Sequence, residues 1–489
     1  MKYCWIAVIV SGAAAARLWL LFSTELVPGI NGAYYLIQVR ALLERQELAL
    51  PDLPLVFYFE ALLAGLLQRL TGNGVNESVL LAVKLIDGIL PAFAALPIFF
   101  LLERWNLNAM APRWISALGA LLVVMCFPAL SVVGDLQKHS LALALLAALL
   151  WQINAWMKRP SAAHLLGIGL SGALIALTHI AVFGATMLLL AGIFLASLFV
   201  RKRFPWKAQH PLVVAAIVVL VMIVGAVWWR FDAQHLYRLF SVVSNLANLT
   251  QNGAFMPWAT GVPSPITSYL LWFFELLAAF GIVSIIWRKR QQLPVEVISI
   301  VTGATLSILA LTMPLFSQDM ALRLALIAVL PGILVLCFAM QQISNRWLRN
   351  ILALGVALVL LLPSGSLVVN GGQAMLSSAA MQELKSLSVL VHSPAKTLII
   401  APHGLEWWTA WTLGTKISNP DAVEISDCRN YAEVFVIEQK QWFLHRMPPP
   451  PLIRSARTIP TVSEIVHDGK YFKLIRADIA HNLTRQGKE

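Results

Sequence analysis

The sequence predicts a mainly α-helical, polytopic membrane protein with a small soluble α/β domain at its C-terminal end. Of its 489 residues, 59% are hydrophobic and only 12% are charged, and the mean hydropathy is +0.75. An average soluble domain has about 25% charged residues. Long apolar runs recur as far as residue 370, and the chain then becomes polar. We therefore predict a transmembrane domain over residues 1–370 and a soluble domain over residues 371–489.

Eleven apolar runs approach the ~20 residues that a helix needs to cross a bilayer. They lie at 4–22, 79–102, 114–133, 139–157, 164–180, 181–200, 211–229, 266–287, 295–316, 321–341 and 350–369. The first run contains Arg17 and is not followed by a convincing small-residue cleavage site. We interpret it as a retained first span, which makes about eleven transmembrane helices.

Basic clusters between these runs predict the orientation, because cytoplasmic loops are enriched in Lys and Arg. The clusters are Arg104/Arg113, Lys158/Arg159, Arg201/Lys202/Arg203/Lys207, Arg288/Lys289/Arg290 and Arg346/Arg349. With a cytoplasmic N-terminus, every cluster falls in a cytoplasmic loop, provided that residues 53–70 form an interfacial helix instead of a span. The C-terminal domain is then periplasmic or extracellular, on a bacterial or archaeal plasma membrane. Because the positive charge lies in loops and not along one face, we expect no nucleic acid partner.

The soluble domain shows short strand-like and helix-like patterns. Residues 397–401, 433–438 and 471–476 are typical of strands, and residues 405–413 are typical of a helix. Four consecutive prolines at 448–451 predict an extended connector. These patterns predict a small α/β fold.

Polar and charged residues collect at the predicted outer ends of the spans, where they are costly unless they line a cavity. The set is Glu25, Asn31, Tyr34, Tyr35, Arg40, Asp52, Asp135, Lys138, His139, His179, Arg230, Asp319 and Arg323. We expect a cavity that opens toward the outer leaflet.

Four segments of this outer set resemble GT-C glycosyltransferases, which include oligosaccharyltransferase catalytic subunits, protein O-mannosyltransferases and lipid A aminoarabinose transferases. Residues 28–35 read Pro-Gly-Ile-Asn-Gly-Ala-Tyr-Tyr, and residues 50–55 read Leu-Pro-Asp-Leu-Pro-Leu, similar to the interfacial helices of that family's first outer loop. Gly134-Asp135 resembles its second acidic loop, and Ala-Leu-Arg-Leu at 321–324 resembles its phosphate-binding arginine helix. The family usually has an acid before the Tyr-bearing helix, where this chain has Ile30 and Asn31.

The resemblance implies a membrane glycosyltransferase that moves a sugar from a polyprenyl-phosphate donor to a glycan, lipid or protein acceptor on the outer face. The implied catalytic carboxylates are Asp52, Asp135 and Glu25, since Asn31 cannot act as a base. Cations that would hold the phosphate are Arg323, Lys138 and Arg230, because guanidinium groups bind phosphate with two parallel bonds. Tyr34, Tyr35 and Asn31 would also line the substrate site.

Several of these residues also have ordinary structural interpretations. Asp135 is placed to cap the next helix, Asp52 to shape a turn, and Arg323 to reach the lipid headgroups. Asp135 and His139, four residues apart, could share a helix face and bind a divalent cation, magnesium or manganese, together with His179. The alternative is that both histidines are simply hydrogen-bonded.

Two further patterns allow structural predictions. Lys84 and Asp87, three residues apart in one span, are expected to neutralise each other. The run 403–408, His-Gly-Leu-Glu-Trp-Trp, could stack on an acceptor sugar, although core or membrane-interface tryptophans are the commoner explanation.

Two other functions remain open from the sequence. The first is a non-catalytic subunit that binds a lipid-linked sugar in a degenerate site. The second is a transporter of such a lipid, although the chain lacks the related halves that are usual in transporters.

Overall fold

The computed structural model describes residues 2–105, 113–201, 221–222, 224–231, 273, 275–284, 293–312, 318–420, 428–440 and 463–477. These ranges are mainly helical, with one five-stranded sheet near the C-terminal end. The proline run 448–451, most of the predicted span 211–229 and half of the predicted span 266–287 lie outside the described residues.

The helices follow the order that the apolar runs predict. They are α1 (Lys2–Phe22), α2 (Gly32–Arg45), α3 (Leu55–Thr71), α4 (Val75–Ile89), α5 (Ala95–Arg104), α6 (Trp114–Met125), α7 (Phe127–Ser131), α8 (Gln137–Lys158), α9 (Ala162–Thr178), α10 (Ile180–Arg201), α11 (Val295–Leu311), α12 (Gln318–Gln342) and α13 (Arg346–Asn370). A 3₁₀ turn over Leu90–Ala94 joins α4 to α5, and Pro91 lies within it. In a long helix the backbone N–H and C=O groups hydrogen-bond to one another, and this is required in lipid, which offers them no other partners.

Seven described helical segments are long and apolar enough to cross a membrane. They are Cys4–Phe22, Val75–Arg104, Trp114–Ser131, Gln137–Lys158, Ile180–Leu198, Arg323–Gln342 and Arg346–Asn370. Shorter apolar helices cover Ala162–Thr178, Glu275–Ser284 and Val295–Leu311. These segments indicate a membrane-embedded protein. The number of eleven spans and the orientation of the termini stay predictions.

Residues 53–70 form a helix that differs from these seven. Helix α3 has 17 residues, is preceded by Pro54 and packs against α2 and α4. One of its faces buries Phe57 and Glu60, and its other face exposes large apolar side chains. Those are Tyr58, Phe59, Leu62, Leu66 and Leu70. A helix with one buried face and one exposed apolar face is compatible with the predicted interfacial position, which stays a prediction.

A buried ion pair joins α1 to α4 and corrects one prediction. The Arg17 guanidinium lies 2.8 Å from the Asp87 carboxylate, and the other Asp87 oxygen accepts a 2.7 Å hydrogen bond from the backbone N–H of Gly134. Lys84 instead donates to the backbone carbonyls of Thr24 and Glu25. The predicted Lys84–Asp87 pair is therefore wrong, because a residue on the neighbouring helix satisfies Asp87 better than one on its own helix.

The predicted soluble domain begins after α13 with α14 (Ser378–Ser386), and contains α15 (Leu405–Leu413) and five strands. The strands are β1 (Thr397–Ile400), β2 (Lys416–Ser418), β3 (Glu433–Gln439), β4 (Ser463–Asp468) and β5 (Phe472–Ala477), in the order β2-β1-β3-β5-β4. β1 pairs in parallel with β2 and β3, whereas β5 pairs antiparallel with β3 and β4. The predicted helix and three predicted strands are confirmed, and β2 and β4 are additional.

Glu383 anchors α14 to the sheet. Its carboxylate accepts hydrogen bonds from the backbone N–H groups of Tyr471 and Phe472, the latter at 2.9 Å. Burial alone would raise the pKa of Glu383, but these N–H groups and His467 lower it overall. Glu383 therefore stays ionised and holds the start of β5.

Helix α15 rests on α2 and so brings the soluble domain to the helical part. The Arg40 side chain donates to the carbonyls of Ala410 and Trp411 at 3.0 and 2.9 Å, and its guanidinium lies 4.6 Å from the centre of the Trp411 ring. Gly404 has φ +88°, and a Cβ there would come within 2.5 Å of Ile30. This close approach places the start of α15 beside the loop that precedes α2.

Candidate functional site

The first cluster of the site forms around the Asp52 carboxylate. Asp52 is only 5% exposed, accepts a hydrogen bond from the Tyr34 hydroxyl and pairs with the Lys138 ammonium. Its other oxygen accepts from the backbone N–H of Leu53 at 2.7 Å. Asp52 thus bonds to the backbone of its own turn, as one interpretation predicted, and also connects two predicted site residues, Tyr34 on α2 and Lys138 on α8.

Helix α2 holds this cluster in place. Gln38, one turn after Tyr34, donates to the Tyr34 hydroxyl and to the carbonyl of Leu50, both at 3.0 Å. Burial and then the charge of Asp52 raise the pKa of Tyr34 well above its ordinary value. Tyr34 therefore remains a neutral donor. The Lys138 ammonium also lies 5.7 and 5.6 Å from the ring centres of Tyr34 and Phe57, a favourable cation–π arrangement.

The second cluster joins Asn31 to Asp135. The backbone N–H and the side-chain amide of Asn31 donate to the same carboxylate oxygen, Oδ1, at 2.7 and 3.1 Å. Gly29 and Gly134 both have positive φ, and a Cβ at Gly29 would lie 2.4 Å from the Cβ of Asp135. Only glycine permits this approach of the two loops.

The helix-capping alternative for Asp135 is wrong. Helix α8 begins at Gln137, its N-cap residue is Leu136, and no side chain caps it by a hydrogen bond. Asp135 lies one residue further out, where its carboxylate turns toward Asn31. Tyr35, also predicted in the site, is buried below these groups, and its hydroxyl accepts a long 3.5 Å bond from the backbone N–H of Lys138.

Glu60 belongs to the same region and was not predicted as a site residue. It is fully buried on α3, and neither of its carboxylate oxygens has a hydrogen-bond partner among the described residues. Burial raises the pKa of Glu60 well above its ordinary value, with a smaller increase from Asp87 and a decrease from Lys138. A single carboxylate in an apolar run gives no sequence signal that it will be buried.

A third cluster comes from the soluble domain, at the start of α15. The His403 Nδ1 lies 3.0 Å from Oε1 of Glu406, whose side chain is buried. The Trp407 ring lies 5.1 Å from the Tyr34 ring and 6.3 Å from the His403 ring. The run 403–408, for which sugar stacking was one interpretation, therefore contacts the predicted site of the helical part through Trp407.

Three predicted site residues stand apart from the Asp52 and Asp135 clusters. Arg323 is exposed near the start of α12 and is close enough to His403 to influence its ionisation. Arg230 is exposed and stacks on Phe231 at 5.5 Å. Glu25 is exposed and accepts a 3.1 Å bond from Ser378. In the described part of the chain, neither Arg230 nor Glu25 hydrogen-bonds to Asp52 or Asp135.

The predicted metal ligands do not assemble. The His139 and His179 rings meet edge to face, 5.4 Å between centres, but Asp135 bonds to Asn31. Within the described ranges, no group of three or more His, Cys, Asp and Glu side chains could hold a metal ion. The prediction required Asp135 and His139 on one helix face, and α8 begins only after Asp135.

The site thus unites residues from the first loop, the loop before α8 and the soluble domain. No protein-family model and no curated protein matches this chain.

Proposed function

We propose that this chain is a membrane glycosyltransferase that moves a sugar from a polyprenyl-phosphate donor to an acceptor, with Asp135 as the general base. One observation carries the proposal. Asn31, at the position where the GT-C resemblance leads one to expect an acid, directs both of its N–H groups at Asp135. The carboxylate that the reaction needs is thereby supplied by a second loop.

The geometry of Asp135 suits a base. Both bonds from Asn31 fall on Oδ1, and among the described residues Oδ2 accepts no hydrogen bond. Asp135 as a whole is half-buried and not fully enclosed. A general base must reach the proton that it removes at about 2.6–3.2 Å, and a fixed carboxylate orientation favours such an approach.

The proposed reaction is a displacement at the anomeric carbon. The acceptor oxygen forms the new bond to that carbon while its proton passes to Oδ2 of Asp135. The bond from the anomeric carbon to the phosphate oxygen breaks, and its electron pair leaves with the lipid phosphate. Arg323 is the cation that receives this phosphate, since charge-assisted bonds to it strengthen as negative charge develops.

The Asp52 cluster has a supporting part in this proposal. Asp52 is occupied by Lys138 and by the Tyr34 hydroxyl, so its charge is already balanced. It holds Lys138, three residues after Asp135, and so braces the first turn of α8 against α2. We therefore place Asp52 second to Asp135 as the base.

A second candidate, a non-catalytic subunit that binds a lipid-linked sugar, is favoured by the same neutralised Asp52. If Asp135 serves only to join the two loops, the site would bind the donor without cleaving it. Binding of the donor with no release of polyprenyl phosphate would support this subunit over the transferase.

The test uses the full chain in lipid nanodiscs with a radiolabelled polyprenyl-phosphate sugar and cell-envelope acceptors. We expect release of polyprenyl phosphate by the wild type and a loss of at least 100-fold in Asp135→Asn, within the range for removal of a general base. Glu47→Gln, which changes an exposed carboxylate of the same first loop, is the matched control and should leave the rate unchanged. Full activity in Asp135→Asn would overturn the assignment of the base.

A further inference from the structure

The His403–Glu406 pair has a defined hydrogen-bond direction. Nδ1 of His403 lies 3.0 Å from a Glu406 oxygen, and the Glu406 side chain is 5% exposed, against 52% for the His403 side chain. An ionised carboxylate only accepts hydrogen bonds, so Nδ1 must carry the hydrogen. The second ring nitrogen, Nε2, is then left for a ligand.

The pair lies next to the groups that the proposed reaction uses. Charges of Asp135, before α8, and Arg323, on α12, both act on His403. Trp407, the next residue after Glu406, packs against Tyr34 of the Asp52 cluster. His403 therefore lies beside the Asp52 cluster, which it meets through Trp407, and within electrostatic range of Asp135 and Arg323.

The surroundings of His403 favour its cationic form. The hydrogen bond to Glu406 raises the pKa of His403, burial lowers it, the charges of Glu406 and Asp135 raise it, and the charge of Arg323 lowers it, with a net increase. The Arg40 side chain, on α2, donates to the carbonyls of Ala410 and Trp411, at the opposite end of α15 from His403. The protonated fraction of His403 at a given pH is therefore higher than that of an ordinary histidine.

We propose that His403 is a second phosphate ligand, acting with Arg323, so that the soluble domain completes the donor site. This inference rests on the proposed transferase function and deepens it. The Nε2–H of the imidazolium donates a hydrogen bond to an oxygen of the donor phosphate. As the sugar–phosphate bond breaks, this oxygen gains negative charge and the hydrogen bond strengthens.

Binding of a short-chain polyprenyl phosphate to the nanodisc-embedded protein, measured between pH 5.5 and 9, tests the inference. Hydrogen bonds to charged groups predict a loss of roughly 10- to 100-fold in affinity for His403→Gln at neutral pH. His392→Gln, which changes another exposed histidine of the soluble domain, is the control and should bind like the wild type. An affinity for His403→Gln within twofold of wild type would overturn the inference.

The pH profile separates a charge role from a purely structural one. The phosphate gains its second charge near pH 6, which increases affinity as the pH rises. Because the pKa of His403 is raised, the imidazolium is complete at low pH and is lost as the pH rises through that pKa. Wild-type affinity should therefore rise and then fall, whereas His403→Gln should lack the falling limb. Glu406→Gln should move that limb to lower pH, and an unmoved limb would contradict the role of the pair.

Two further comparisons identify the ligand and separate a failure of this inference from a failure of the proposed function. Vesicles of phosphatidic acid and free inorganic phosphate offer the same charge without the polyprenyl chain. Equal His403-dependent affinity for phosphatidic acid would indicate a lipid-headgroup site and overturn the donor assignment. If wild type binds no polyprenyl phosphate and releases none, the proposed function fails. If wild type releases it and His403→Gln does so equally well at every pH, only this inference fails.

Discussion

Asn31 and Asp135 lie 104 positions apart in the chain, yet two hydrogen bonds from Asn31 meet on one oxygen of the Asp135 carboxylate. An asparagine cannot remove a proton, but its backbone and side-chain donors can fix the orientation of a carboxylate that does. The other oxygen, Oδ2, accepts no hydrogen bond among the described residues, and the proposed role of Asp135 as a base depends on that oxygen.

Asn31→Asp is expected to lower transfer, not to raise it. The change removes the side-chain donor and sets a second negative charge beside Asp135, which raises the pKa of one of the two carboxyl groups. We expect a rate loss of about tenfold or more at neutral pH, against a smaller loss in Asn31→Ala, which keeps the backbone bond. The rate at which polyprenyl phosphate is released measures the loss in each of the two variants. A gain of activity in Asn31→Asp would instead support a degenerate, non-catalytic site.

The Asp52–Lys138 pair is expected to stabilise the fold. Lys138→Met leaves the buried Asp52 carboxylate without its charge partner, and removing one partner of a buried pair costs about 3 kcal/mol or more. Asp52→Asn has a similar cost, and the double variant should recover part of the loss. Thermal unfolding of the four proteins in one detergent checks this. Additive losses in the double variant would show that the two groups do not interact.

The Arg17–Asp87 pair should support the Asp135 loop as well as the α1–α4 contact. Asp87 accepts from Arg17 with one oxygen and from the backbone of Gly134 with the other. Asp87→Asn removes the charge partner of a buried guanidinium, so we expect a destabilisation of about 3–5 kcal/mol. Thermal unfolding measures it, with Glu77→Gln, an exposed acid of the same helix, as control. An unfolding temperature equal to that of the control would rule out this structural role.

Glu60 predicts a pH dependence of stability. The pKa of its folded form is raised above the unfolded value of about 4.3, so the native state binds more protons. The contribution of Glu60 is greatest below the unfolded pKa and declines as the pH rises toward the folded pKa. Glu60→Gln, which stays neutral, should therefore unfold at a higher temperature than wild type at pH 8 and at nearly the same temperature at pH 4.5. If the unfolding temperatures of Glu60→Gln and wild type differed by the same amount at both pH values, the raised pKa of Glu60 would be contradicted.

Local patterns were enough to predict the helices and most of the sheet. Apolar run length and strand alternation depend on residues near one another in the chain, which is why α15 and the strands β1, β3 and β5 lie where the sequence predicts them. The grouping of Asp52, Tyr34 and Lys138 was expected only in outline, as residues on one predicted side of the membrane.

Which residues pair with each other could be learned only from the tertiary structure. Sequence spacing favoured Lys84 for Asp87 and a helix cap for Asp135, but the packing of α1 against α4 brings Arg17 to Asp87, and two positive-φ glycines bring Asn31 to Asp135. Likewise, only the docking of α15 on α2 brings His403 to the site. By itself the sequence determined where the long apolar helices, α15 and three of the five strands form, because hydrophobic patterning is local. The tertiary structure alone decided which charges meet, since electrostatic partners are set by distances between chain segments that lie up to hundreds of residues apart.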